Sequence, residues 1–354
     1  MKKKIVVGVI ALVVISLVAI LISKSATNNV RKAELTPIRI GWQTSWAPQT
    51  QIAEVLKHTN ILEKNGLVGD FKGFNYGGPL SEAAVAGQVD VLFMGDFPAI
   101  NLISKTDKFT IVARLMDFRN GIIVPASSTI QSLADLRGKV ISIPFGSSPH
   151  LHTLNFIKEN GFDPTKDFQL KNLDILEQTN VIQKGSLAKW DGVDAFVTWD
   201  PTMAIFEDSG KARVLKRFSP VGVVVMSNDY ISRHSAAAKD FLKAFIEDYY
   251  YYAKNQQQAN QWFIDETKFS GSQSVIDKMS SLEKNLLAKE IKDVDVGLYD
   301  SHIKTLQAIA DEAEANKLIT KAPIISQKIN LQFLDEAKKE IGQSNFDLNS
   351  VNIK

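Results

Sequence analysis

At 354 residues and 45% hydrophobic content the chain is long enough for two lobes. Its 23% of charged residues lies near the ordinary quarter and excludes general disorder. The net charge is +2, and without residues 1–26, which carry four lysines and no acid, 37 basic residues face 39 acidic ones. No basic stripe remains, so no nucleic-acid partner is expected. The lack of cysteine excludes disulfides, thiolate metal sites, a cysteine nucleophile and a lipid-modified cysteine.

The chain opens with Met1-Lys-Lys-Lys4, an uncharged 18-residue run from Ile5 to Ile22, and the polar stretch Ser23–Asn29. That run falls between the ~7–15 residues of a secretory apolar region and the ~20 of a spanning helix. Residues 1–26 therefore read as a signal peptide or as an N-terminal membrane anchor. Either way the lysines stay cytoplasmic and the body is exported, to a periplasmic or extracytoplasmic location. Residues 30–36 form a polar linker.

Five times thereafter a strand-like apolar run ends in a short turn, and a proline then opens a helix-like segment. The junctions are Ile38–Trp42 through Ser45-Trp46 to Pro48; Tyr76-Gly-Gly-Pro79; and Val89–Met94 through Gly95-Asp96-Phe97 to Pro98. Further on, Val140–Ile143 leads through Gly146-Ser-Ser148 to Pro149, and Val193–Thr198 through Trp199-Asp200 to Pro201. Proline suits the first helical turn, where its missing N–H has no intrahelical partner. In a parallel sheet all such junctions lie at the carboxyl ends of the strands, where open α/β folds bind ligands, and free helix amides there favour anions. The pattern predicts a small-molecule binder.

The helices Gln51–Asn60, Leu80–Gly87 and Pro98–Ser104 alternate with strands such as Val89–Met94 and Thr110–Leu115, a βαβ organisation. Strand Gly121–Pro125 leads into a second series: Lys139–Ile143, helix Pro149–Asn160, strand Phe168–Ile175, helix Thr179–Gly185 and strand Val193–Thr198. After strand Val221–Met226 the spacing becomes helical over Ser235–Phe263, Ser272–Ala288, Gly297–Asn316 and Leu331–Ile341. The run Tyr249–Tyr252 covers every face of a helix and reads as packing. The expected organisation is lobe 1 from 36–121 plus 222–354 and lobe 2 from 122–221, with Gly121–Pro125 and Val221–Met226 as the two hinge crossings.

At these junctions the chain resembles the substrate-binding proteins of ABC importers for sulfonates, taurine and nitrate. The matching residues are Gly41-Trp-Gln-Thr-Ser45, Gly77-Gly-Pro-Leu80 with Glu82-Ala-Ala, Gly87-Gln-Val-Asp90, Gly95-Asp96, and Ser132–Lys139. Gly146-Ser-Ser148 with His150, Val193-Asp194, Trp199-Asp200-Pro201 and the tail Phe333–Glu340 continue the set, which spans about residues 38–341. The resemblance implies a bilobal type II periplasmic-binding-protein fold of the α/β class. Two βα lobes would be joined by a two-crossing hinge, with the C-terminal helices on lobe 1. It implies no catalysis and no cofactor, a small-molecule solute as ligand, and an ABC permease with its ATPase as partners of a monomer.

The pocket residues implied by that likeness are Gln43, Gly78, Pro79, Gly95, Asp96, Ser147, Ser148, His150, Trp199 and Asp200. Trp46 joins them as a wall residue, because three of the five tryptophans, Trp42, Trp46 and Trp199, fall at the junctions. Ser147 and Ser148 suit a sulfonate or carboxylate at a helix start, or simply cap the Pro149 helix. Asp96 and Asp200 either cap helices or hold a cationic group. Together with an anion site they point to a zwitterion such as taurine. Arg119, beside the hinge, is placed to pair with an anionic ligand or with an acid of the other lobe. His150-x-His152 reads as no metal site, since residues two apart on a helix face different ways. Alternatives are a pyrimidine or thiamine-precursor ligand, and a membrane-anchored sensor that transports nothing.

Overall fold

The computed structural model describes residues 34–269, 271–343 and 346–354. The expected leader or anchor over 1–26 lies outside them, and among the described residues no helix is long and apolar enough to cross a membrane. In chain order the strands are β1 (Thr36–Gln43), β2 (Leu67–Phe74), β3 (Val91–Gly95), β4 (Phe109–Asp117) and β5 (Asn120–Pro125). They continue with β6 (Val140–Ile143), β7 (Gln169–Asn172), β8 (Ala195–Trp199), β9 (Ala212–Phe218) and β10 (Val221–Ser227). Two five-stranded sheets result, in the orders β2-β1-β3-β10-β4 and β7-β6-β8-β5-β9. In each, three strands are parallel, while a strand leading into or out of a lobe crossing pairs antiparallel on both sides.

The helices are α1 (Gln49–His58), α2 (Gly77–Val85), α3 (Asp96–Lys105), α4 (Ser148–Glu159), α5 (Ile175–Lys184) and α6 (Thr202–Asp208). A C-terminal set follows: α7 (Ser235–Lys254), α8 (Gln256–Thr267), α9 (Gln273–Ser280), α10 (Asp300–Ala315) and α11 (Gln332–Gln343). This is the bilobal α/β fold the sequence implied. The C-terminal helices complete the first lobe, with α7 against α1 and α11, and α10 against α3. One of them, α9, also reaches the second lobe: Val275, Ile276 and Met279 pack with Ala204 of α6 and Ala47.

The chain crosses between lobes at Phe118-Arg119 and Ser219-Pro220, and the Phe118 N–H donates to Pro220 O at 3.4 Å, tying the crossings side by side. The strands expected to be the crossings, Gly121–Pro125 and Val221–Met226, instead lie inside the sheets as β5 and β10. Their apolar residues are buried there on both faces.

Two helical stretches divide. Ser235–Phe263 breaks at Asn255, which leaves helical geometry (φ −128°, ψ 43°) and separates α7 from α8. Ser272–Ala288 ends as a helix at Ser280, because buried Glu283 turns inward. Its carboxylate takes both terminal nitrogens of Arg114, at 3.1 and 3.0 Å, and the amides of Asp117 and Asn285. Along α7, Phe241, Phe245, Tyr249 and Tyr252 form one fully buried face, so the tyrosine run is chiefly core.

Candidate ligand-binding site

Each of the five proline junctions joins a parallel strand to a helix: β1 to α1, β2 to α2 and β3 to α3 in the first lobe, β6 to α4 and β8 to α6 in the second. Pro149 is the second residue of α4, Pro79 and Pro98 are the third residues of α2 and α3, and Pro48 and Pro201 stand just ahead of α1 and α6. Junctions of both lobes meet at one narrow cavity of about 20 Å³. Gln43, Trp46, Gly95, Pro98 and Phe118 line it from the first lobe and the crossing; Ser147, Ser148, Pro149 and Trp199 line it from the second.

The lobes touch closely around this cavity. Trp199 Nε1–H donates to Ser45 O at 2.9 Å, and Trp46 packs on Phe118 with ring centroids 4.0 Å apart. Gly95 has no room for a side chain, since a β-carbon there would fall 2.4 Å from Ser148 Oγ. Gln43 is held through its backbone: its N–H donates to Gln49 Oε1 at 2.6 Å, and Thr50 Oγ1 donates to its carbonyl at 3.2 Å.

None of the nine lining residues is charged. Two buried donors among them, the Ser148 hydroxyl and the Trp46 indole N–H, have no hydrogen-bond partner within the protein. Ser147 Oγ, by contrast, donates to Pro144 O at 2.6 Å and does not cap α4. With the amino end of α4 beside it, the cavity offers hydrogen bonds to an acceptor and aromatic surface to an apolar group.

Of the eleven residues expected at the ligand, Gln43, Trp46, Gly95, Ser147, Ser148 and Trp199 line this space, and Gly78, Pro79, Asp96, His150 and Asp200 stand outside the lining. Gly78 and Pro79 lie in the first turn of α2, whose start packs against Pro98: a β-carbon on Gly77 would sit 2.5 Å from the Pro98 ring. His150 accepts the Gly146 N–H on Nδ1 at 3.2 Å and stacks on Phe145, and burial pushes its imidazole down to about 4.

Both acids have ion-pair partners in the protein, although the oxygen that faces each cation makes no hydrogen bond. Asp96 accepts the Phe97 N–H at 2.7 Å, and its second oxygen lies 3.2 Å from His152 Nε2. Asp200 accepts the Ala204 N–H at 3.1 Å, and its second oxygen lies 3.3 Å from Arg119 Nε. Burial raises the Asp200 carboxyl to about 6, against the opposing pull of Arg119. Arg119 also pairs with Glu207 at 3.1 Å, so it serves acids of the second lobe. Trp42 belongs to the core, edge-on to Phe71.

Sequence reasoning did not single out Pro98, Pro149 or Phe118 as walls, nor His152 as the partner of Asp96. The prolines carried a signal, since the residues that open the helices must lie where the helices start. Phe118 and His152 are placed by tertiary packing alone.

Residues 78–247 match the family profile described as ABC transporter, phosphonate, periplasmic substrate-binding protein. The taurine-binding periplasmic protein of Escherichia coli (strain K12) is 25% identical over 227 residues, which cover 61% of this chain and 66% of that protein. A putative aliphatic sulfonates-binding protein of Bacillus subtilis (strain 168) is 24% identical over 315 residues, 87% of this chain and 90% of that protein. Among solved structures, the alkanesulfonate-binding protein SsuA from Xanthomonas axonopodis pv. citri, bound to MOPS, superposes with a TM-score of 0.68. It does so at 20% identity, over 84% of this chain and 99% of that one. With its bilobal fold and its helix starts at one interlobe cavity, the chain is similar to the substrate-binding proteins of ABC importers, the taurine- and aliphatic-sulfonate-binding proteins among them.

Proposed function

We propose that this protein captures a small monoanionic sulfonate between its two lobes, outside the cytoplasmic membrane, and delivers it as a monomer to an ABC permease and its ATPase. The observation that carries the reading is the pair of unpartnered buried donors, Ser148 Oγ and Trp46 Nε1, at an uncharged cavity beside the start of α4. A buried donor left unmade costs ~1–3 kcal/mol, and a sulfonate oxygen relieves that cost.

The uncharged lining also speaks to the ligand's charge. Neutral donors and a helix terminus suit one delocalised negative charge, whereas a dianionic phosphonate needs a cation that the lining does not provide. Trp46, Phe118, Pro98 and Trp199 form the apolar surface for a short tail. Binding rather than catalysis fits Ser148, whose hydroxyl has no base within hydrogen-bond reach. The names of the taurine- and sulfonate-binding relatives agree with this class of ligand.

Calorimetry and thermal melting of the purified protein against methanesulfonate, ethanesulfonate, taurine, methylphosphonate, nitrate and a pyrimidine test the proposal. Saturation at a hundredfold excess over Kd is expected to add ~2.7 kcal/mol for a sulfonate. A panel in which no sulfonate moves the melting midpoint, or in which the phosphonate or pyrimidine wins, overturns it.

A further inference from the structure

Ser148 and His152 stand one turn apart on the same face of α4, and that face forms the seam between the lobes. Ser148 meets Gly95 of the cavity wall, His152 lies 3.2 Å from Asp96, and Asn155 bonds Glu312 of α10. Asp96 follows Gly95 directly in sequence and is wholly buried, one layer behind the cavity. Among the described residues its one ionic partner is His152, which comes from the opposite lobe. The other acid beside the cleft, Asp200, is matched by Arg119.

We infer that His152 determines ligand specificity: it supplies Asp96 with the cation that an aminosulfonate would otherwise bring, and so sets the cleft for sulfonates with a plain alkyl tail. The inference deepens the sulfonate reading and rests on it. An ammonium group drawn into the closed cleft loses its water and finds each neighbouring carboxylate already facing a cationic side chain at ion-pair distance, which disfavours it. Removing the imidazole reverses the balance. Asp96 then becomes a buried carboxylate without a counterion, beside the space the ring has left, and a ligand ammonium repairs that defect.

The charged groups that face His152 are Asp96 from α3 and Glu312 from α10, while Phe218 of β9 meets its ring edge-on at 5.6 Å. Burial alone would drive the imidazole pKa down; Asp96, and more weakly Glu312, outweigh it and leave the value above the ordinary one. The carboxylate 3.2 Å away thus favours the charged imidazole against the pull of burial.

The test is titration calorimetry of the full-length protein with ethanesulfonate and with taurine, which differ in the amino group alone. The unmodified protein is expected to bind ethanesulfonate about tenfold or more tightly than taurine, the scale of one charge-assisted hydrogen bond. In His152→Ala the ratio of the two affinities is expected to move toward taurine by about tenfold or more, and adding Asp96→Asn to that variant abolishes the gain. His152→Gln, close to the imidazole in size and neutral, gives the same direction of change should the alanine variant not fold. Equal preference in the unmodified protein, or variants that weaken both ligands alike, overturns the inference while leaving the sulfonate reading intact. An unmodified protein that binds neither compound overturns both.

Discussion

The first lobe covers its sheet with helices from both ends of the chain, whereas the second relies chiefly on those inside its own hundred or so residues. In the first, β3, β4 and β10 are buried almost end to end, and the 20-residue α7 lays a row of aromatic side chains across the helices and strands beneath it. In the second, β7 is largely exposed, β9 only half-buried, and the core is split into two small clusters on either side of the sheet. Since burial of apolar area scales with the stability it confers, the first lobe is the better-anchored body and the second the lighter one. The cleft between them owes its chemistry to both.

The strongest way to break this comparison is to cut one core side chain in each lobe. Phe245→Ala on α7 is expected to cost ~3–5 kcal/mol of stability in urea unfolding and to loosen the whole chain. Phe196→Ala in β8 removes a side chain buried to the same degree, yet hydrogen exchange is expected to show lost protection confined to residues 120–218. Lost protection in β1 and β3 as well would mean that the two lobes stand or fall together.

A smaller effect sharpens the picture of the anchor. Glu54 on α1 is wholly buried, with Lys57 Nζ at 3.3 Å and His58 Nε2 at 3.1 Å, and burial pushes its carboxyl up to about 7 against the opposing pull of Lys57. An acid whose folded pKa exceeds its unfolded value of ~4.3 weakens the fold progressively as pH rises between the two, and fully above the higher. Glu54→Gln is therefore expected to be neutral near pH 4 and to gain ~1–3 kcal/mol at pH 8, read from denaturation midpoints at both. A gain that is the same at both pH values would show that the charge is not the cause.

At the cleft the expected changes are in affinity rather than in fold. Gly95→Ala places a methyl group against Ser148 of the other lobe, an overpacking worth ~1–3 kcal/mol that falls on closure. Ser148→Ala removes one donor and is expected to cost ~0.5–1.5 kcal/mol of sulfonate binding, with the unliganded protein melting no lower than before. A Ser148→Ala variant that melts lower yet binds as before would make the hydroxyl a structural group.

The junctions were legible because proline marks a helix start by its own chemistry, whatever surrounds it. The buried strands were legible as continuous apolar runs. The two strands that left no such mark are both sheet edges: β2 reads Leu-Val-Gly-Asp-Phe-Lys-Gly-Phe, and β9 has Arg213, Lys216 and Arg217 among its seven residues. Charge on an edge strand keeps its open side from pairing with other chains, and so hides it from a search for apolar runs. The acids illustrate the other gap. Their positions at the helix starts pointed to the cleft, but whether each faced a ligand depended on His152 and Arg119, which reach them through the tertiary fold. No local spacing encodes those pairings. The same holds for Glu283, whose bond to Arg114 ends a helix that periodicity would have continued.

β10 sits inside the first sheet, between β3 and β4, although the chain reaches it only after the second lobe is complete. A chain emerging from its amino end therefore holds all five strands of the second sheet while the first still lacks the strand that joins β3 to β4 and the C-terminal helices that pack on it. The second sheet has the nearer pairings and closes early; the first waits for partners more than a hundred residues away, the arrangement that slows folding most. On this topology the second lobe is expected to be able to close first, and the first sheet to be finished last.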